Sequence, residues 1–259
     1  MTRVLVLGAG FAGLWAAIGA ARKRDEIGAA AADVEILVVD RNPFHNIRVR
    51  NYEVDLSAVA IPLGEVLDPV GVVHRVAEVD AIEADRQQVR VTTGAGSEVL
   101  TYDRLVVTLG SQLARPAIPG LATSGFDVDT YAAAMRLNAH LAVLGAQGES
   151  PGRSTVVVVG AGFTGIEVAA EMPGKLATAG VPRDWRIVLV DPNPALGETF
   201  GEDGRSVVGE ALQALGVETR LNVRVTAVDA DSVTLSSGEV IATQTVVWCA
   251  GMRASAVAE

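Results

Sequence analysis

Residues 155–171 read TVVVVGAGFTGIEVAAE. Four valines run without a polar break, glycines stand at 160, 162 and 165, and apolar residues then return at helical spacing. A short unbroken apolar run predicts a strand buried on both faces, as in a parallel sheet. The same pattern opens the chain. Residues 3–17 read RVLVLGAGFAGLWAA, with Gly8, Gly10 and Gly13 placed 152 residues before their counterparts. Each copy is followed by a second apolar strand closing on an acid: VEILVVD at Asp40 and RIVLVD at Asp191. These acids lie 27 and 26 residues beyond the last glycine of their copy. Each copy then ends in an apolar strand closing on glycine, YDRLVVTLG at Gly110 and TQTVVWCAG at Gly251. Three landmarks in one order predict a tandem repeat.

Between these landmarks the pattern is mixed. Residues 41–69 are irregular, broken by Pro43, Pro62 and Pro69. Residues 72–84 and 86–93 alternate like the strands of a meander, with Gly94 and Gly96 as a turn. The rigid stretch RPAIPG at 115–120 predicts a domain boundary, and 147–154 a polar linker. Residues 132–144 and 203–215 carry helical spacing, and Pro173, Gly174, Gly180 and Pro182 predict the end of the helix that follows Gly165. The expected fold is α/β: two tandem Rossmann-like units over residues 1–114 and 115–248, with 249–259 returning toward the first.

The glycine spacing carries chemistry. G-x-G-x-x-G between a strand and a helix is a dinucleotide fingerprint. Gly8 and Gly160 permit the tight turn, Gly10 and Gly162 let backbone approach a pyrophosphate, and Gly13 and Gly165 let helix pack on strand. The helix starts at Phe11 and Ala12, and at Phe163 and Thr164, offer free N–H groups to phosphate. Asp40 and Asp191 are expected to hold riboses, since a carboxylate accepts from both hydroxyls. Asp191 is followed by Pro192, Asn193 and Pro194, so no arginine awaits a 2′-phosphate and NADH is favoured over NADPH. Arg41, Arg48 and Arg50 read singly as solvated charges and together as groups near a flavin ring or an acceptor.

Composition narrows the classes. The chain has 259 residues, 49% of them apolar, and one cysteine, Cys249. Mean hydropathy is +0.33, as doubly covered sheets require. A net charge of −10 disfavours nucleic acid and anionic lipid as partners. A lone cysteine excludes a dithiol redox pair, and three scattered histidines make no legible metal site. The apolar N-terminus looks like a signal peptide but reads better as strand, glycine turn and helix. No run of about 18 apolar residues predicts a membrane span.

The copies differ at one position. Trp15 of the first aligns with Glu167 of the second, an acid expected in the first turn of a helix that should bind an anion. Glu171 stands four residues on, on the same helix face.

The motifs GAGFAGL at 8–14, YEVDLSAVAIPLGEVL at 52–67, YDRLVVTLGS at 102–111, VVGAGFTGIEVAAEM at 158–172 and VVWCAGMRAS at 246–255 resemble the two-dinucleotide-binding-domain flavoproteins, above all type II NADH:quinone oxidoreductases. The resemblance implies FAD in the first unit, NADH in the second, and a quinone or other small molecule as acceptor. It also implies backbone contact from Val79 to the FAD adenine, closure of the FAD site by Gly110 and Ser111, and Ala250 and Gly251 near NADH. Glu167 would lie at the flavin–nicotinamide junction, handling a proton or the acceptor. The resemblance implies a cytoplasmic enzyme, peripheral to a membrane in a full-length form. Val49, Arg50 and Asn51 stand where that family has Pro-Leu-Leu. The family also continues past the position of Glu259, with a Gly-Asp motif for the flavin and membrane-binding helices. The expectation is therefore a truncated FAD-dependent NADH dehydrogenase. The alternatives are an NAD(H)-binding module that does not retain FAD, and a ferredoxin or rubredoxin reductase.

Overall fold

The computed structural model of the chain describes residues 1–197 and 200–258, and Glu259 of the returning segment lies outside them. Contacts divide the chain into two compact units. The first holds residues 1–47, 57–112 and the last residues from Arg253, and the second holds Arg48–Leu56 and Leu113–Met252.

In the first unit β1 (Thr2–Leu7) leads through the glycine turn into α1 (Phe11–Glu26) and back into β2 (Val34–Asp40). Successive strand side chains point to opposite faces. Leu5, Leu7, Leu37 and Val39 therefore pack on one side with Val79, Val89, Val91 and Leu100. Val6, Ile36 and Val38 pack on the other with Ala17, Ala21, Leu63 and Leu67. Both faces are covered, which is why no alternation was visible in the sequence.

The stretch 41–69, expected to be irregular, contains an antiparallel pair, β3 (Phe44–Asn46) with β4 (Ala60–Pro62), and the short helix α2 (Leu63–Leu67). A second correction concerns β5 (Val73–Val76). Alternation placed it in the meander, but it pairs in parallel with β2, Leu37 opposite Val73. Period two cannot distinguish the edge strand of a parallel sheet from a meander strand. The antiparallel meander itself is β6 (Glu78–Glu83), β7 (Gln88–Thr93) and β8 (Gly96–Thr101), after which β9 (Arg104–Val107) rejoins β1. The main sheet runs β5-β2-β1-β9, and β10 (Ser111–Leu113) leads out of the unit.

The second unit opens with α3 (Leu121–Ser124), β11 (Gly125–Phe126) and α4 (Tyr131–Ala146). Its repeat consists of β12 (Thr155–Val159), α5 (Phe163–Thr178), β13 (Arg186–Val190), α6 (Glu202–Ala214) and β14 (Val217–Arg220). A three-stranded antiparallel sheet follows, β15 (Val225–Val228), β16 (Ser232–Leu235) and β17 (Val240–Ala242), then β18 (Thr245–Trp248) and, leading out, β19 (Met252–Ala254). The sheet order is β11-β18-β12-β13-β14. In both units the strand after the glycine helix lies on one side of the first strand and the closing strand lies on the other.

Pro173 does not end its helix, as the sequence suggested. Helix α5 continues through it to Thr178. Buried Met172, Lys175 and Leu176 hold the second half against the unit, so packing outweighs the missing N–H. A proline inside a helix costs roughly 3 kcal/mol against alanine. Pro173→Ala is thus expected to stabilise the unit by about 1–3 kcal/mol. Thermal denaturation checks this, and an unchanged midpoint would mean that the helix has already absorbed the cost.

Candidate functional site

Each unit carries the same turn. Gly8 has φ +95° and Gly160 has φ +105°, in the region that only glycine adopts freely. A Cβ on Gly8 would lie 2.5 Å from the Thr108 carbonyl oxygen, and one on Gly160 would lie 3.0 Å from the Ala250 side chain. Gly13 and Gly165 are closed in another way: a Cβ there would overlap the carbonyl oxygen of Gly8 or Gly160. A Cβ at Gly10 or Gly162, by contrast, would meet nothing within 4 Å. These two glycines leave empty space in front of the helix start, where an approaching group needs it. Helices α1 and α5 begin immediately after them with no side-chain cap and no acid in the first turn. Phe11 and Ala12, and Phe163 and Thr164, occupy those first turns.

The acids at the strand ends are part of the turn. Asp40 Oδ2 accepts from the Ala9 N–H at 2.7 Å, and Oδ1 accepts from the Asn42 N–H at 2.8 Å. Asp191 repeats this with Ala161 at 2.5 Å and Asn193 at 2.8 Å. Each carboxylate ties a glycine loop to its second strand and closes a turn two residues on. Sequence reasoning assigned these acids to riboses and missed this structural role. The signal was present: Asp40-Arg41-Asn42 and Asp191-Pro192-Asn193 share an acid followed two residues later by asparagine, the pattern of a side-chain-closed turn. His45 was also missed. It is buried, its Nδ1 lies 2.8 Å from the Ala9 carbonyl oxygen, and its ring meets Phe11 edge-on at 5.0 Å. In the second unit Phe200 meets Phe163 in the same edge-on manner at 4.6 Å.

The remaining candidates separate by unit. Arg41 is exposed, 3.8 Å from Glu78. Val79 is buried on β6 where the pairing register shifts. Gly110 follows β9 with φ +68°, and Ser111 begins β10. Ala250 backs the second glycine turn, while Gly251 turns the chain with φ +79°. The Trp248 indole N–H donates to the carbonyls of Ala114 and Ala250 at 3.0 and 2.8 Å, which fixes that strand end. Burial, with Asp127 and Asp129 adding to it, pushes the Cys249 thiol up, so little reactive thiolate forms at neutral pH.

Glu167 belongs to the second turn of α5, not the first as expected. It therefore stands one turn further from the uncapped N–H groups of the helix start. It lines an open cleft of about 330 Å³ with Arg48, Tyr52, Val128, Phe163 and Thr164. The cleft thus opens off the second glycine loop, through Phe163 and Thr164. Burial holds the Glu167 carboxyl above its ordinary value. Burial also pushes the Tyr52 phenol up, and the Glu167, Glu53 and Glu171 carboxylates add to that. Arg48 and Arg50 are not free surface charges: Arg48 pairs with Asp129, and Arg50 grips Glu53 through two bonds of 2.6 Å. Among the described residues no cluster of three His, Cys, Asp or Glu could hold a metal, and no helix is long and apolar enough to cross a membrane.

Two parallel-sheet units with paired glycine cradles define a dinucleotide-binding oxidoreductase architecture. A family model described as pyridine nucleotide-disulphide oxidoreductase matches residues 2–259, and the chain belongs to that family. It is 55% identical over 262 residues to an NADH dehydrogenase-like protein of Mycobacterium tuberculosis, covering 100% of this chain and 65% of that protein. It is 31% identical over 263 residues to a demethylphylloquinone reductase of Synechocystis, covering 98% of this chain and 62% of that protein. The chain therefore spans less than two thirds of the length of these relatives. In structure it resembles NDH2 from Plasmodium falciparum solved in complex with NADH, with a TM-score of 0.82, 14% identity, and coverage of 99% of this chain and 56% of that one. That likeness is one of fold.

Proposed function

We propose that this chain serves FAD-dependent oxidation of NADH, with FAD at the first glycine cradle, NADH at the second, and a quinone or similar small molecule as acceptor. One observation carries the reading: the same cradle occurs twice, each with open space before an uncapped helix start and an acid locking the loop. The residues present fit both groups. A pyrophosphate needs close backbone and free N–H groups, and Gly10 with α1 and Gly162 with α5 offer both. The names of the two relatives, an NADH dehydrogenase-like protein and a demethylphylloquinone reductase, support the same class.

FAD held by Gly10, the start of α1 and the Asp40 loop would supply two-electron chemistry between NADH and the acceptor. The chain supplies the rest. Asp191 locks the second glycine loop, and no arginine follows it to receive a 2′-phosphate, so a 2′-hydroxyl is favoured. Asp40 and Arg41 stand at the matching end of the first unit, where Val79, Gly110 and Ser111 would complete the FAD site. Ala250 and Gly251 border the NADH cradle. The cleft beside that cradle joins apolar Val49, Val128 and Phe163 to Tyr52 and Glu167. Such lining suits a flat, mostly apolar acceptor that must gain protons on reduction. Glu167, kept protonated to higher pH by burial, is the group placed to deliver one.

Calorimetric titration of the chain with NADH, NADPH and FAD tests the reading. NADH should bind at least tenfold more tightly than NADPH, and FAD should bind on titration but be retained less well than NADH. Failure of both nucleotides to bind would overturn it. NADH binding with no FAD binding would reduce the chain to a nucleotide-binding module.

A further inference from the structure

The segment 48–56 lies between two parts of the first unit in sequence but belongs to the second in space. It brings Arg48, Val49 and Tyr52 to the cleft. What holds it there is one face of α5. Glu167, Glu171 and Lys175 follow one another at a spacing of four and share that face. Glu171 Oε1 accepts from the Val54 N–H at 3.3 Å. Gly174 leaves room for the Val54 side chain, since a Cβ there would sit 3.0 Å from it. Lys175 is the third anchor. It is only 3% exposed, and its Nζ donates to the Glu53 carbonyl at 2.6 Å and to Asn138 Oδ1 of α4 at 2.8 Å.

A lysine is rarely buried this far, because removing an ammonium from water is expensive unless it is paired. Here the ammonium bridges two helices and a backbone carbonyl one residue from Tyr52. We propose that Lys175 is the positioning residue of the acceptor cleft, fixing where Tyr52 stands opposite Glu167. Its contribution to acceptor turnover rests on the function proposed above, but its hold on the segment does not.

The groups facing the ammonium are Glu171 on its own helix, Glu53 on the segment and the neutral Asn138 on α4. Burial lowers its pKa to about 8, with Glu171 and Glu53 opposing that shift. The sign of the pH effect follows. An opened segment would return Lys175 to water, where it binds a proton more tightly than in the closed state. Raising the pH from 7 to 9 therefore favours the closed segment, by about tenfold if opening exposes Lys175 fully.

Hydrogen exchange of the Asn51, Glu53 and Val54 amides reads the segment directly. In the chain with Lys175→Met, their protection should fall at least tenfold while that of β12 and β13 holds. The wild-type rise in protection between pH 7 and 9, corrected for intrinsic exchange, should vanish in the variant. Unchanged protection would overturn the proposal. If Lys175→Met does not fold, Asn138→Ala removes one acceptor only and should show a smaller loss, with no loss again overturning it. In the flavin-loaded enzyme the KM for a soluble quinone should rise about tenfold while the KM for NADH stays unchanged; an unchanged quinone KM would overturn the positioning role. Absence of quinone turnover in the wild type would sink the functional reading instead, and exchange would still decide the anchor.

Discussion

Asp191→Ala is expected to weaken NADH binding by about 100-fold and to lower stability together with it, without any gain for NADPH. The carboxylate holds the Ala161 and Asn193 N–H groups at 2.5 and 2.8 Å, and Asp191 is 6% exposed. Hydrogen bonds to a charged group contribute roughly 1.5–3 kcal/mol each, and truncation leaves a buried donor unpaired. A loss of about 2–5 kcal/mol in stability follows. Since about 1.4 kcal/mol is tenfold in affinity, even part of that loss at the loop accounts for the expected fall. The sequence alone, which gave Asp191 only a ribose, suggests a different result: intact stability and a shift in preference toward NADPH. Thermal denaturation with paired titrations of NADH and NADPH separates the two. An unchanged midpoint with improved NADPH affinity would show that the loop does not depend on the acid. Asp40→Ala makes the matching test at the first cradle, through Ala9 and Asn42.

That contrast shows where the sequence is readable. Strand, turn and helix were legible because their signals are local: β1 and β12 end in unbroken apolar runs, and α1 and α5 start directly after Gly10 and Gly162. The repeat was legible because both copies obey the same steric demands. A Cβ at Gly13 or Gly165 collides with backbone, so no other residue serves. What failed depended on distant partners. Alternation in residues 73–76 has two solutions, and only pairing with Leu37–Asp40 decides between them. Pro173 is a local stop signal overruled by packing of the residues beyond it.

The site divides in the same way. The glycines, Asp40 and Asp191 announce themselves by spacing, but their hydrogen bonds to Ala9 and Ala161 do not. His45 carries no sequence signal, for a lone histidine two residues after a proline reads as surface until its ring is seen against Phe11 and its nitrogen at Ala9. Residues 48–56 read as part of an irregular stretch because the partners that place them are over 70 residues away: Asp129 for Arg48, and Glu171 and Lys175 for the backbone at 53 and 54. A chain this acidic still takes positive charge into its interior, and Lys175 shows that it does so where a carbonyl and an amide converge.

Glu167→Gln should slow the reaction with the acceptor by about 10²–10⁴-fold, the usual reach of general acid–base help, while oxidation of NADH changes little. The substitution keeps size and hydrogen bonding but removes the titrating proton. Glu167 sits in the second turn of α5, away from the uncapped N–H groups of the helix start, so NADH affinity should hold within about twofold, as the dipole effect fades beyond the first turn. It shares the cleft with apolar Val49, Val128 and Phe163 and with Arg48, Tyr52 and Thr164, and burial raises its pKa. A raised pKa suits a proton donor, since more of the acid form remains as pH approaches neutrality. The sign is then fixed. If Glu167 gives a proton to the reduced acceptor, the rate with the acceptor falls as pH rises through its pKa, and the glutamine variant shows no such step. Tyr52→Phe should leave that step in place and shift it upward, because the phenyl ring is a less polar neighbour for the carboxylate than the phenol. Stopped-flow mixing in the flavin-loaded enzyme, with NADH and with acceptor in separate experiments across pH, gives both rates. An acceptor rate that is unchanged and equally pH-dependent in Glu167→Gln would leave Glu167 as a wall of the cleft, with the proton coming from elsewhere.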